Sequence, residues 1–373
     1  MEKMLRRPIL IIGLILLISV NSYSQIGDIA NLMSVGVNDA ELMLTEYIRP
    51  VANAMGANLS CGWYNTAEAH KLGGFHLNFT ANVAFVPEEN QTYNLNDLPL
   101  SEGINFDNDG IAKTAAGSLG SETQVWYEAD VPVIGTREVV RFDHPGGSGY
   151  HVLPSPMINA GVGLPKGTEL LGRFMPKVKY GADKSNYINL WGVGIKHDLK
   201  QWIPVVKDLP VLNLAVTYGY TNVNFHSDIK PLTPAMLDAE DLTTAADWNS
   251  QNMDMKFQNH TASLLVGASL PVVSFYGGVG VSITKTNLAL KGDFPVPSII
   301  TDTGDPNFGD VVVTDNNFVT DPFNIEVKNQ DGGITKPRFN IGVLFKFAVI
   351  TFQIDYTWAN YSVATAGIGI SFR

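Results

Sequence analysis

Seven histidines are the residues of this chain best suited to bind a metal, and they are scattered along it. They are His70, His76, His144, His151, His197, His226 and His260. No two of them stand at the spacing of four residues that places both imidazoles on one face of a helix in many zinc sites. The sequence therefore predicts no metal site and no cofactor.

Two other short motifs suggest ion or phosphate binding. Asp107 and Asp109 precede Gly110 in the segment FDNDG, which resembles a fragment of a calcium loop but lacks the downstream glutamate at the required place. The segment is either a weak calcium site or, as we favour, a solvated loop. The GGSG run at 146–149 has no Gly-Lys-Ser/Thr ending, so we interpret it as a turn and not as a phosphate loop.

Catalysis and nucleic-acid binding have no support in the sequence. We find no Ser-His-Asp or paired-carboxylate spacing, and we expect no enzyme activity. The formal net charge is −11, and no basic stripe interrupts the acidic composition. This charge argues against a nucleic acid as partner.

A basic row in residues 168–180 is the most informative polar set. Arg173, Lys177 and Lys179 alternate with apolar residues, so on a strand they would share one face with Glu169. Buried charges of one sign are costly unless they are paired or wet. The row either pairs with carboxylates such as Glu169 and Asp355, or holds the head group of an anionic ligand. Pro176 in the same segment favours a bulge or an edge.

The stretch GGFHLNFTANVAF shows the same alternation with almost no charge. Phe75, Leu77 and Phe79 are apolar, whereas His76 and Asn78 between them are polar. A soluble strand usually carries charge on its wet face, so we predict that the apolar face meets lipid and the polar face a lumen. The candidate ligand-binding residues of the lumen are His76, Asn78, Arg173, Lys177, Lys179, Arg338 and Asp355.

The N-terminus has the layout of a secretory signal peptide. Basic residues precede the apolar run from Ile9 to Ile18, and small residues follow it, which predicts cleavage after Ser24. Residues 25–56 then show helical periodicity, with a division at Gly36, and we expect the helix to stop at Gly56. Residues 57–373 form the remaining domain. The single cysteine excludes an internal disulfide.

Alternating segments fill the chain from residue 57 to its end. They cover residues 57–64, 72–86, 158–164, 168–180, 187–197, 212–220, 262–270, 275–283, 339–347, 350–358 and 363–372. Many have about 10 residues, enough for a tilted strand to cross a bilayer. Tight turns alternate with long acidic loops, as in outer-membrane barrels. We therefore predict an all-β, transmembrane antiparallel outer-membrane β-barrel of about 14 strands, with an N-terminal helical segment plugging or capping the lumen.

A secreted β-sandwich is the alternative architecture. It would explain the alternation equally well. It would not explain why charged residues are only 16% of the chain, against about 25% in typical soluble domains.

Two longer resemblances add to this interpretation. The stretches LGGFHLNFTANVAFVP, LPSPMINAGVGLPKGTELLGRFMPKV and LWGVGIKHDLKQWIP resemble an uncharacterised family of Bacteroidota outer-membrane proteins, known as a domain of unknown function. In layout the chain also resembles the long-chain fatty-acid transporters (FadL-like barrels), whose N-terminal helices plug the lumen. The Asn-Pro-Ala motif of that plug is absent here, so no ligand residue is carried over.

These observations together predict an outer-membrane barrel that binds or passively transports a small hydrophobic, fatty-acid-like or anionic compound. The alternative is a structural or secretion-accessory barrel that binds a protein partner through its long acidic external loops. Outer-membrane lipid is an expected partner in both cases. A ligand-sized cavity beneath the helices would favour transport, whereas a filled lumen with ordered loops would favour the partner role.

Overall fold

The computed structural model describes residues 29–181, 184–329 and 332–372. The expected signal peptide, residues 1–24, lies outside this part of the chain. Within it, no helix is both long enough and apolar enough to span a membrane.

Ten antiparallel strands close into a barrel. Numbered in chain order, they are β1 (Phe75–Phe85), β2 (Val152–Leu164), β3 (Thr168–Tyr180), β4 (Asn186–Asp198), β5 (Leu212–Asp228), β6 (Asn252–Ser269), β7 (Val273–Lys291), β8 (Thr335–Phe347), β9 (Ile350–Trp358) and β10 (Val363–Phe372). Each strand pairs with the next, and β10 pairs with β1 to close the ring. One further strand, Phe323–Val327, pairs with the upper part of β7.

The count of ten corrects the prediction of about 14 strands. The chain forms fewer strands because several of them are long. Strands β5, β6 and β7 have 17, 18 and 19 residues. The segment 57–64, expected to be a strand, is helix as far as Ser60 and then a turn. The closed, mostly β architecture with an N-terminal helix is confirmed.

In the half of the barrel nearer residues 165–167 and 270–272, outward side chains are apolar and most inward ones are polar, apart from an apolar cluster that includes Leu171, Ala215 and Leu265. In β1, Leu77 is 47% exposed and Asn78 only 4%, and this alternation continues along the strand. Similar outward residues occur all around the ring: Leu170, Trp191, Val216, Leu264, Val279, Ile341, Ile354 and Ile368. The polar face of the stretch from Gly73 to Phe85 therefore lines the lumen, as the sequence predicts.

Near the beginning of β6 the polarity of the two faces is reversed, so that inward side chains are apolar and outward ones are polar. Met253, Met255 and Phe257 point inwards and are buried, whereas the neighbouring Lys256 is exposed. Below this level Asn259 is buried, and so are the inward residues that follow it. An apolar interior with a polar exterior suits water, and the opposite arrangement suits lipid. The reversal near residue 258 therefore marks the level at which the outward apolar belt ends.

An N-terminal segment fills the lumen, and we call residues 29–74 the plug. It begins with a 3₁₀ helix, Ile29–Val35, continues through Gly36 and forms helix α1, Val37–Ser60. Gly36 has φ 97°, a conformation that glycine adopts at little cost, so the division predicted there is confirmed. Helix α1 then passes Gly56, where a Cβ atom would lie only 2.9 Å from Thr284 Oγ1 of β7. This glycine allows the helix to approach the wall and does not end it.

Three long loops build an external cap, defined as residues 86–151, 229–251 and 292–334. The cap contains short strands and 3₁₀ helices. Its strands are Thr92–Asn94, Ile104–Phe106, Ile111–Lys113, Gln124–Val131, Gly135–Asp143, Glu240–Asp241, Asp293–Pro295, Ser298–Ile299, Val311–Val313, Phe318–Thr320 and Phe323–Val327. Leu95, Val125 and Phe294 of the cap share one apolar core with Met33 and Leu44 of the plug. The opposite end of the barrel carries the shorter connections, at 165–167, 199–211, 270–272 and 348–349, and we call it the short-turn rim.

The position of the apolar belt predicts unequal effects of one charge along a single strand. Val279 of β7 faces outwards in the belt, whereas Asn287 lies above the reversal on the same strand. We expect Val279→Arg to lower the free energy of unfolding by about 2–4 kcal/mol and Asn287→Arg by about 0–1 kcal/mol. Urea unfolding in lipid vesicles measures both, and equal losses would contradict the belt.

Candidate functional site

The contact between plug and lumen wall is the candidate functional site, and Arg173 of β3 lies at its centre. Its Nη1 donates to Leu59 O and its Nη2 to Cys61 O, each at 2.9 Å. The last carbonyls of a helix have no partner within the helix and carry partial negative charge. Arg173 therefore caps the lower end of α1 inside the barrel.

Trp63 lies against the same guanidinium. The Arg173 Cζ atom is 3.6 Å from the centre of the indole ring, a cation–π contact. Gly194 of β4 and Gly219 of β5 lie against the indole, and a Cβ at Gly219 would overlap the ring. Two glycines and one arginine thus form a flat slot for Trp63.

Tyr64 anchors the plug to the opposite part of the wall. Its hydroxyl donates to Asn340 Oδ1 at 2.7 Å and accepts from Arg338 Nη1 at 3.0 Å. Arg338 also donates to Ser263 Oγ at 2.7 Å. The hydroxyl of Tyr276 donates to Asp355 Oδ2 at 3.1 Å next to this group. Each of these side chains is buried.

Asparagines continue the contact above the arginines. Asn58 Nδ2 donates to Leu153 O at 2.7 Å, and Asn82 Nδ2 donates to Asn58 O at 2.9 Å. Thr365 Oγ1 donates to Asn82 Oδ1 at 3.0 Å. The polar wall is thus partly satisfied by the backbone of the plug, as buried polar groups require.

A second polar cluster lies at the short-turn rim. Glu169 Oε2 is 2.7 Å from Lys196 Nζ, and Oε1 is 2.9 Å from His70 Nδ1 and 3.0 Å from His76 Nδ1. His70 Nε2 contacts Ser371 Oγ at 3.0 Å. The four charged or ionisable side chains are almost completely buried, with Glu169 at 0% exposure.

The upper end of the plug is fixed by an aromatic joint with the cap. Tyr47 donates to Gly146 O at 2.9 Å, and Tyr93 of the cap contacts His144 Nε2 at 2.7 Å. His144 Nδ1 lies 2.9 Å from Pro145 O, so the neutral tautomer donates there and accepts from Tyr93. Burial lowers the pKa of His144 from 6.5 to about 4.

Five of the seven predicted lumen residues lie inside the barrel. They are His76, Asn78, Arg173, Arg338 and Asp355. The two exceptions are Lys177 and Lys179, which are exposed. The cause is a bulge at Pro176, where the register shifts between Met175 and Val178. An extra residue reverses the faces of the strand beyond it, and Lys177 Nζ consequently lies over the Tyr187 ring at 3.5 Å.

The expected pairing of the basic row with carboxylates also needs correction. Arg173 binds backbone carbonyls and Trp63, while Glu169 pairs with Lys196. The sequence pattern did not predict the contacts of Trp63, Tyr64, His70 and Lys196 or the role of the glycines opposite them. A signal for Lys196 is present, because this residue alternates with outward Ile195 in the same way as Arg173 does with Phe174.

The space between plug and wall is small. A cavity of about 20 Å³ lies beside Gly56, Ser60 and Thr284. Such a volume holds about one water molecule. A second space, about 450 Å³, opens on the cap near Asn31, Arg141 and Asp143. Of these two spaces, the one on the cap has room for a ligand and the one beside the helix does not.

The chain belongs to a family of unknown function (DUF6588), whose model matches residues 1–372. The predicted membership of an uncharacterised family is thereby confirmed. No curated protein matches the chain.

Several solved outer-membrane barrels are similar at low identity. The outer membrane protease OmpT from Escherichia coli is 10% identical, with 80% of this chain and 96% of that one covered and a TM-score of 0.32. The translocator domain of autotransporter NalP from Neisseria meningitidis is 11% identical, over 82% and 89%, with a TM-score of 0.30. The toluene transporter TbuX from Ralstonia pickettii is 8% identical, over 81% and 90%, with a TM-score of 0.21. We draw no functional conclusion from similarities this weak.

The slot for Trp63 predicts different effects of valine at two barrel glycines. Gly219→Val would force a side chain into the indole, and we expect it to cost about 1–3 kcal/mol of unfolding free energy. Gly172 is the matched control, because a Cβ there meets only Gly192 O at 3.9 Å, and Gly172→Val should stay within about 0.5 kcal/mol. Urea titration of both variants in vesicles tests this, and a cost at Gly172 as large as at Gly219 would contradict the slot.

The aromatic joint predicts acid sensitivity of the cap. Folding favours the neutral imidazole of His144, so its contribution is complete above about pH 6.5 and is lost as the pH falls towards about 4. The loss amounts to about 3 kcal/mol at most. We expect the protection factors of cap amides, which are corrected for the intrinsic slowing of exchange at lower pH, to fall over this range in the wild type and in the control His151→Gln, and much less in His144→Gln. An unchanged pH dependence in His144→Gln would contradict the assignment.

Proposed function

Because a family of unknown function supplies no activity, we propose from the geometry that this is a plugged outer-membrane barrel that presents a binding surface on its external cap. The observation that carries the proposal is the filled lumen. Helix α1 and residues 61–74 occupy the barrel, and a cavity of only about 20 Å³ lies beside the helix near Gly56 and Thr284. A pore for free diffusion needs a continuous water-filled lumen.

The cap supports the second half of the proposal. Its loops are folded over one apolar core that they share with the plug, so their outer surface is held in a fixed shape. Acidic residues outnumber basic ones in all three loops. A preformed acidic surface suits a protein partner with a basic face, because complementary charge accelerates and orients association. The cleft of about 450 Å³ gives such a surface a concave feature.

The membrane location rests on the wall. The outward apolar belt below the reversal on β6 fits the hydrocarbon layer, and the closed ring leaves no unpaired strand edge within it. Long loops on one rim and shorter connections on the other favour an external cap and a periplasmic short-turn rim. In this proposal residues 1–24 act as the export signal, the plug segment expected at 25–56 extends to residue 74, and the barrel strands begin at Phe75. Outer-membrane lipid is then the permanent partner.

Transport of a small hydrophobic, anionic compound is the second candidate, in a FadL-like manner. The observation in its favour is the set of hydrogen bonds between plug and wall around Arg173 and Arg338, which lies beside a small apolar cluster that includes Trp63 and Tyr64. Hydrogen bonds such as those from Arg173 to Leu59 O and Cys61 O can be replaced by hydrogen bonds to water. The free-energy cost of this replacement is smaller than that of separating an apolar core. A plug held in this way is able to move during transport.

The plugged state predicts the electrical behaviour of the protein. In planar bilayers we expect the wild type to show no open-porin conductance, and a variant lacking residues 29–60 to conduct steadily. Heat-modifiable mobility in detergent gels verifies that each barrel is folded. Steady conductance of the folded wild type would contradict the plugged state.

Uptake of a labelled long-chain fatty acid by cells tests transport. If the lumen carries an anionic compound, wild-type cells exceed the vector control, Arg173→Ala cells lose the excess and Lys177→Ala cells keep it. Lys177 is the matched control because it lies outside the lumen. Wild-type uptake at the vector level would eliminate this candidate.

A further inference from the structure

We propose that His70, His76 and Glu169 form a binding site for a divalent transition metal of the zinc class at the short-turn rim. Their three donor atoms lie within 4.8 Å of one another, and all three residues are buried. This site is independent of the proposed function, and it departs from the expectation of no metal.

The donor set has the chemistry and nearly the spacing of a zinc site. Two imidazoles and one carboxylate are common ligands of zinc, and they leave a fourth position for solvent. Glu169 Oε1 is 2.9 Å from His70 Nδ1 and 3.0 Å from His76 Nδ1. In a tetrahedral site with bonds of about 2.0 Å, neighbouring ligand atoms are about 3.3 Å apart. Small side-chain movements therefore suffice to bring these atoms around a metal.

His76 Nδ1 is the atom that hydrogen bonding leaves unexplained. It is buried and lies 3.0 Å from Glu169 Oε1, but without the alignment of a hydrogen bond, and it has no hydrogen-bond partner among the described residues. A buried polar atom without a partner costs about 1–3 kcal/mol. Glu169 Oε1 already has a hydrogen bond with His70 Nδ1, so a metal between the His76 imidazole and the carboxylate would supply the partner that His76 Nδ1 lacks.

Neighbouring groups orient the ligands as outer partners of metal sites do. Ser371 Oγ contacts His70 Nε2 at 3.0 Å, and a proton on Nε2 leaves Nδ1 free to bind a metal. Lys196 Nζ holds Glu169 Oε2 at 2.7 Å, so Oε1 remains for the metal. The ammonium also repels a dication, which favours a metal with a bound hydroxide, as zinc forms near neutral pH.

Two glycines of β2 make room for the cluster. A Cβ at Gly161 would overlap His76 Cε1 and lie 2.6 Å from Glu169 Oε1. A Cβ at Gly163 would lie 2.7 Å from His70 O. The lack of a side chain at these two positions of the wall leaves space where the three ligands meet. A metal here would join the lower end of the plug, through His70, to strands β1 and β3.

Metal binding by the full-length mature protein tests the site directly. The protein, carrying a tag without histidine, is stripped with EDTA in detergent and equilibrated with Zn²⁺, and bound zinc is measured by mass spectrometry. We expect about one zinc per chain in the wild type and in His151→Ala, an exposed control on the opposite side of the molecule. We expect at least about tenfold weaker binding in His70→Ala and Glu169→Gln. Co²⁺ should give the visible absorption of a four-coordinate site in the first pair only.

Binding equal in all four proteins, or no zinc above background in the wild type, would overturn the proposal and leave a hydrogen-bonded cluster. Heat-modifiable mobility shows which variants are folded. His70 lies outside the barrel strands, so His70→Ala remains informative if Glu169→Gln does not assemble. Zinc content and bilayer conductance are separate measurements, so failure of this site is distinguishable from failure of the plugged state.

Discussion

The outward-facing apolar belt is the constraint on which the rest of the molecule depends. A wall that turns its apolar side chains outwards leaves many polar side chains inside, and these are costly to bury without partners. The plug supplies many of those partners through carbonyls of Leu59 and Cys61, the ring of Trp63 and the hydroxyl of Tyr64. Above the belt the wall reverses, and plug and cap pack as an ordinary apolar core. One helix therefore meets two different interiors along its length.

The sequence predicted the features that depend on local periodicity. The alternation in β1 placed His76 and Asn78 in the lumen, and the helical spacing after residue 25 predicted the plug. It failed where a non-local contact decided the outcome. Pro176 reverses the faces of β3 and moves Lys177 outside, and Gly56 lies on the wall without ending the helix. The reversal on β6 is visible in the sequence as MDMKFQ followed by NHTASL, where the inward positions change from apolar to polar, so it is a local signal of where the apolar belt ends.

Function follows from how the lumen is filled. The two lumen arginines already have hydrogen-bond partners. Arg173 donates to the end of α1, and Arg338 donates to Tyr64 and Ser263. The plug is held at three levels: by the aromatic joint with the cap, by the Trp63 slot and by the cluster around Glu169. Such redundancy favours a permanent plug over a gate, and it is the reason why we propose that the cap carries the function.

A disulfide between plug and wall tests the central claim most directly. A Cβ at position 56 would lie 3.2 Å from Thr284 Cβ, close to the separation of about 3.5–4.5 Å in disulfides. With Cys61 replaced by serine, Gly56→Cys and Thr284→Cys should cross-link in intact outer membranes under mild oxidation, and mass spectrometry of the digest should give the joined peptides. Their presence is what the account predicts. Free thiols at both positions in a folded, membrane-inserted barrel would contradict a helix inside the lumen.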